Sequence, residues 1–116
     1  MVAGALHHVS LNVDDVAPAV EFYEALGFRK VPRPDLGFDG AWMTLHGAGE
    51  LHLLGFAPPE AMGQHFAVQV DDLDAALAEL ATHGIAPART GEIAGICRQA
   101  FLEDPSGNEV ELNQPL

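Results

Sequence analysis

The chain is poor in cations: five Lys and Arg against 17 Asp and Glu, a formal net charge of −12 over 116 residues. The five form no patch, so the counterion release that drives binding to nucleic acid has little source, and an anionic membrane surface would repel the chain. Cysteine is nearly absent. Cys97 stands alone, which excludes an intramolecular disulfide and suits a reducing compartment or a fold that needs no bridge. No apolar run approaches the roughly 18 residues of a membrane span. The opening MVAGALHHVSLNV lacks the basic start and long apolar core of a signal peptide, so the expectation is a cytoplasmic protein. Glycine-rich nucleotide loops and the Gly-x-Ser-x-Gly elbow are missing too. Small molecules remain as the expected partners.

Hydrophobic residues make up 48% of the chain, enough for a core in one domain of this length. Their arrangement repeats. HHVSLNVDDVAPAVEFYEALGF (7–28) and QHFAVQVDDLDAALAELATHGI (64–85) share an opening His, an alternating stretch, Val-Asp-Asp, a helical period and a closing Gly. The offset is 57 at His8/His65, Asp14/Asp71 and Gly27/Gly84. We read the chain as one domain of two βαβββ modules, about 1–57 and 58–116, joined near Pro58-Pro59.

Each module opens with a strand of period two. His7, Val9, Leu11 and Val13 share one face of the first, and His8, Ser10 and Asn12 the other. In the second, Phe66, Val68 and Val70 oppose His65, Ala67 and Gln69. A helix follows in each, capped by Asp14 or Asp15 and by Asp71 or Asp72, and ended by Gly27 and Gly84. Val16, Val20, Tyr23 and Leu26 form one apolar stripe, Leu73, Leu77 and Leu80 the other. Strands are expected near 28–33, 40–46 and 50–56, then 86–91, 97–103 and 108–114, with Asp104-Pro105-Ser106-Gly107 as a strong turn.

Parity selects candidate ligands. His8 and His65 lie on the polar faces of the opening strands. Glu109, Glu111 and Asn113 share a face of the last strand, and Glu50 and His52 a face of its counterpart. With one extra residue allowed in the Asp-Pro-Ser-Gly turn, His52 is the mate of Glu111. Imidazoles and a carboxylate on neighbouring strands suit one borderline divalent cation, Fe, Mn, Ni, Co or Zn. Trp42, Phe56, Arg98 and Gln99, with Phe38 and Met62 nearby, are candidates for the substrate wall, Arg98 as a clamp for an anionic group.

HHVSLNVDD with VEFYEALGF, QHFAVQVDDLDAAL and the closing FLEDPSGNEVEL resemble the vicinal oxygen chelate superfamily of glyoxalases, extradiol dioxygenases and bleomycin- and fosfomycin-resistance proteins. The resemblance spans essentially the whole chain. It implies an α+β fold in which tandem βαβββ modules form a U-shaped eight-stranded mixed sheet around a cleft. It also implies a homodimer and metal ligands at His8, His65 and Glu111. His52 stands where glyoxalase I and methylmalonyl-CoA epimerase, another member, usually carry a fourth ligand, Glu or Gln, and would serve as ligand or general base. Two functions follow as expectations. One is a metal-dependent enzyme gripping two neighbouring substrate oxygens, by lyase, isomerase or dioxygenase chemistry. The other is a non-catalytic protein that sequesters a drug or metabolite.

Overall fold

The computed structural model describes residues 1–116, and contacts divide them into two compact units, Met1–Pro59 and Glu60–Leu116. Unit one runs β1 (His8–Asn12), α1 (Val16–Ala25), β2 (Arg29–Val31), β3 (Gly40–Thr44) and β4 (Glu50–Leu54). Unit two runs β5 (His65–Gln69), α2 (Leu73–Ala81), β6 (Arg89–Ile93), β7 (Cys97–Glu103) and β8 (Glu109–Pro115). The α+β class and the tandem βαβββ order are those expected. Hydrogen bonding closes two four-stranded sheets, ordered β1-β4-β3-β2 and β5-β8-β7-β6. The strand expected at 86–91 forms instead at Arg89–Ile93, because Pro87 has no amide to donate to a ladder.

The helices start and stop for local reasons. Asp72 caps α2, its carboxylate accepting from the Ala75 amide at 3.0 Å. Asp15 occupies the same place before α1 with extended backbone, but its side chain makes no capping bond. Pro18 is tolerated because it falls in the first turn, where no intrahelical acceptor is lost. Gly27 (φ 109°) and Gly84 (φ 74°) turn the chain left-handed. The amides of Phe28 and Ile85 then reach back to Tyr23 and Leu80 at 3.0 and 3.1 Å, so orphan carbonyls are satisfied.

Each helix covers one face of its own sheet: α1 packs on β2, β3 and β4, and α2 on β7 and β8. In unit one, Val20, Phe22 and Tyr23 meet Met43, Leu51 and Leu53, all buried. The expected α1 stripe gains Ala19 and Phe22, while Val16 and Leu26 are only half-buried. In unit two, Leu73 and Leu80 meet Ala100, Leu102, Val110 and Leu112. Burying such side chains supplies roughly 1.5–3 kcal/mol apiece. The helix therefore consumes one sheet face and leaves the other for polar side chains.

The strand registers coincide between the units. His8 lies beside Glu50 and Ser10 beside His52 on the parallel β1/β4 pair, as His65 lies beside Glu109 and Ala67 beside Glu111 on β5/β8. Trp42 pairs with His52 as Phe101 pairs with Glu111. His52 and Glu111 are thus mates, as parity predicted, but for a different reason. The two turns are equal in length: Leu45 N–H bonds Gly49 O just as Asp104 N–H bonds Asn108 O. The offset grows from 57 to 59 upstream of β3 and β7, not inside the Asp-Pro-Ser-Gly turn.

That turn is held by Asp104. It is buried, and its Oδ1 accepts from the Ser106 and Asn108 amides at 2.9 Å each while Oδ2 accepts from Asn108 Nδ2 at 3.0 Å. The motif's role is to set the register at which Glu111 enters β8.

Candidate functional site

In unit two the side chains opposite α2 build a small polar centre. His65 opens β5 and Glu111 sits mid-strand on β8. The His65 Nδ1–H donates to Gly63 O at 2.9 Å, which fixes the ring and its tautomer. Nε2 then faces Glu111 Oε1 at 3.1 Å. Glu111 is 5% exposed, and its Oε2 accepts from Asn113 Nδ2 at 2.7 Å and from Gln99 Nε2 at 3.3 Å. Burial of a carboxylate is costly unless each oxygen is satisfied; Oε2 is met by the two amides and Oε1 by the Nε2–H of a protonated His65. The His65 imidazole is held above its ordinary pKa, chiefly by the Gly63 carbonyl and then by Glu111, against an opposing contribution from burial. Phe101 closes one side of His65 edge-on at 5.6 Å, and Arg89 lies 4.0 Å over the Phe101 ring while pairing with Glu109.

In unit one the equivalent face carries a stack. His52 lies between Trp42, at 4.5 Å and 11°, and His8, at 4.0 Å and 19°. Its Nε2 meets Glu50 Oε1 at 2.9 Å. That hydrogen bond holds the Glu50 carboxyl below the usual carboxylate range. His8 Nδ1 meets His7 Nδ1 at 2.8 Å, so one ring donates and the other accepts. Each stacked imidazole thus keeps one further nitrogen, Nε2 of His8 and Nδ1 of His52. Beside the stack is a pocket of about 110 Å³ lined by Ser10, Arg33, Phe38, Trp42 and His52 with Leu36, Leu53 and Leu54.

The sequence candidates divide accordingly. His65, Glu111 and Gln99 are brought together in unit two, and His8, His52 and Trp42 in unit one. Arg98 stands apart from Gln99: both guanidinium nitrogens reach Asp74 of α2, at 3.3 and 2.9 Å. Alternation along β7 gives Arg98 the parity of Ala100 and Leu102, on the side facing the helix, which is why it cannot act from Gln99's face. Phe56 packs on Phe38 at 4.9 Å beyond the end of β4 and is 46% exposed. His7 was expected on the face opposite His8. It precedes β1, where alternation has not yet begun, and turns onto His8.

Three participants escaped the sequence reading: Arg33, Asn113 as a clamp, and the Gly63 carbonyl. Asn113 shares the parity of Glu111, a signal that was present. Arg33 lies in the irregular Pro-Arg-Pro segment, which has no period to read.

A divalent ion is the cofactor that this donor chemistry suggests. Bonds of about 2.0–2.2 Å at right to tetrahedral angles place two ligand atoms roughly 2.8–3.6 Å apart; His65 Nε2 and Glu111 Oε1 stand at 3.1 Å. The Nδ1–H to carbonyl bond and the amide clamp on the far carboxylate oxygen are the supports that metal ligands normally require. The pair fits the group. No three His, Cys, Asp or Glu side chains are gathered around one point, so the pair alone is an incomplete set.

Comparison with known proteins is consistent across sequence and structure. The model of the Glyoxalase/Bleomycin resistance protein/Dioxygenase superfamily matches residues 5–112. Glyoxylase I 4 of Arabidopsis thaliana is 33% identical over 121 residues, covering 93% of this chain and 69% of that protein. TnmS3, an antibiotic binding protein from Streptomyces sp. CB03234, is 30% identical with a TM-score of 0.84, over 100% of this chain and 99% of that one. The fosfomycin resistance protein FosX of Listeria monocytogenes, in a mutant form complexed with Mn(II) and dihydroxypropylphosphonic acid, shares the fold. Its TM-score is 0.85 at 17% identity, over 100% of this chain and 95% of that one. No helix is long and apolar enough to cross a membrane.

Proposed function

The chain belongs to the Glyoxalase/Bleomycin resistance protein/Dioxygenase superfamily, and on that premise we propose that it is a metal-dependent enzyme acting on a small substrate with two neighbouring oxygens. The observation that carries this reading is the supported His65–Glu111 pair, whose 3.1 Å separation suits two adjacent ligands of one ion. In this reading the donors are His65 and Glu111 of unit two. The ion would supply Lewis acidity, drawing off the negative charge that develops on substrate oxygens.

The chain's own residues do the rest. Gly63 holds the His65 proton on Nδ1 and keeps Nε2 as the donor. Asn113 and Gln99 hold Glu111 in one orientation. His52 is the proton carrier: Glu50 engages Nε2, leaving Nδ1 to take a proton from carbon or oxygen. Trp42 and His8 on its two faces prevent the ring from rotating away. The reaction in this reading is lyase, isomerase or dioxygenase chemistry. In the same reading the protein is a cytoplasmic homodimer, which light scattering checks.

A second reading is supported by the aromatic pocket of unit one and by the 30% identity to an antibiotic binding protein: a protein that sequesters its ligand without chemistry. Metal analysis of protein prepared without chelators separates the two. Close to one equivalent per chain, lost in both His65→Ala and Glu111→Ala, supports the enzyme. Absence of metal with undiminished ligand binding supports sequestration.

A further inference from the structure

We propose that the unit-one pocket is a subsite for the carboxylate of a planar, aromatic acid, with Arg33 as the residue that selects the charge. The inference rests on the reading that this face of unit one receives a ligand, but it holds whether or not a metal is bound.

Of the three cations that join no ion pair, Arg29, Lys30 and Arg33, only Arg33 is half-buried. Acids outnumber cations 17 to five, and Arg89 and Arg98 each have a carboxylate, Glu109 and Asp74. None of the ion pairs involves Arg33. Its two acidic neighbours are turned onto backbone instead, Asp35 accepting from the Gly37 amide at 2.9 Å and Asp39 from the Gly40 amide at 3.0 Å.

The guanidinium is nevertheless held in place. Nη2 donates to Phe38 O at 3.0 Å, and the group lies 5.0 Å over the Phe38 ring. It passes over Gly40, where a Cβ would come within 2.9 Å of Nη2. A glycine, a carbonyl and a ring therefore fix one orientation of an arginine that lines the pocket and keeps further N–H groups for a ligand. Fixing the fork in advance removes much of the entropy cost of a bidentate carboxylate bond.

The remaining lining states what the carboxylate is attached to. Trp42 and Phe38 are flat walls, Leu36, Leu53 and Leu54 are apolar, and the Ser10 hydroxyl is a second polar contact. A cavity of about 150 Å³ accommodates benzene, so about 110 Å³ opening to one side takes at most one ring, its far edge projecting from the mouth, rather than a whole drug-sized molecule. A phosphate would meet mostly carbon here, and a neutral ring would leave the half-buried Arg33 unanswered.

The chain has one tryptophan, Trp42, and it lines this pocket, so its fluorescence reports occupancy. Titration with benzoate, benzyl alcohol and acetate is run on the wild type, Arg33→Met and Arg33→Lys, in EDTA and again with Mn(II). Saturable benzoate binding is expected in both conditions, with benzyl alcohol and acetate at least about tenfold weaker. Arg33→Met should lose about tenfold or more for benzoate and nothing for benzyl alcohol, while Arg33→Lys retains part of the preference. Benzyl alcohol matching benzoate on the wild type overturns the proposal without recourse to a variant. So does benzoate binding unchanged in Arg33→Met, or no benzoate response at all. Mn(II) binding measured on the same samples keeps the two readings apart: benzoate without metal removes only the metal enzyme, and metal without benzoate removes only this subsite.

Discussion

Replacing Asn113 by Ala should weaken metal binding roughly 10- to 100-fold while leaving the fold intact. Asn113 Nδ2 makes the shortest contact to Glu111, 2.7 Å to Oε2, against 3.3 Å from Gln99 and 3.1 Å from His65 to the other oxygen. A hydrogen bond to a charged group contributes about 1.5–3 kcal/mol, a factor of about 10–150 in an equilibrium constant. Loss of a support behind a metal ligand typically costs 10–100-fold in affinity. The two estimates overlap because the cause is the same: without the clamp, Glu111 loses its orientation and must recover it on binding. Gln99→Ala, which removes the longer bond, should cost less. The assay is competition for Mn(II) or Ni(II) against a chromophoric chelator, with circular dichroism confirming the fold. Affinity within twofold of wild type in a folded Asn113→Ala protein would refute the reasoning, and so would Gln99→Ala costing more than Asn113→Ala.

Metal binding should strengthen as pH rises above about 6.5, because the raised His65 pKa means that a proton must leave before Nε2 can ligate. In metal-free protein the same shift acts in the opposite direction. Its stabilisation is complete below the unfolded pKa and is lost as pH rises through the folded one. Thermal melts across pH 6–8 should therefore diverge between metal-loaded and metal-free samples, and parallel curves would count against His65 as a ligand. Asp72→Ala should cost about 1 kcal/mol in urea denaturation through loss of its cap. Asp15→Ala should cost clearly less, since its carboxylate makes no capping bond. Asp104→Ala should be the more severe change, about 3 kcal/mol, because it strips three hydrogen bonds from a buried turn; a urea midpoint near wild type would show that the turn forms without it.

Much of the candidate site is legible in the sequence because strand alternation is a rigid rule once a strand exists. His8, His52, His65 and Glu111 were all placed on the face away from the helices by parity, and the structure puts them there. The same rule separates Arg98 from Gln99: adjacent on one strand, they cannot share a face, and only Gln99 reaches Glu111. Where no strand exists the rule is silent. His7 lies one residue before β1 and turned onto His8. Arg33 lies in a proline-bounded segment, and its orientation depends on Phe38 and Gly40, which no period connects to it.

The paired halves show the same division. Equivalent hydrophobic spacing, an aspartate before each helix and a glycine after it determined two βαβββ units, because burial and backbone geometry act on each residue type locally. The partners of each polar group were decided only by tertiary structure. The 57-residue offset becomes 59 before the third strand of each unit. That shift sets which side chains stand side by side, and hydrogen bonds and ion pairs form only between atoms that packing has already brought within about 3 Å. The same rank in the sheet therefore carries a stacked His52 in one unit and a clamped Glu111 in the other.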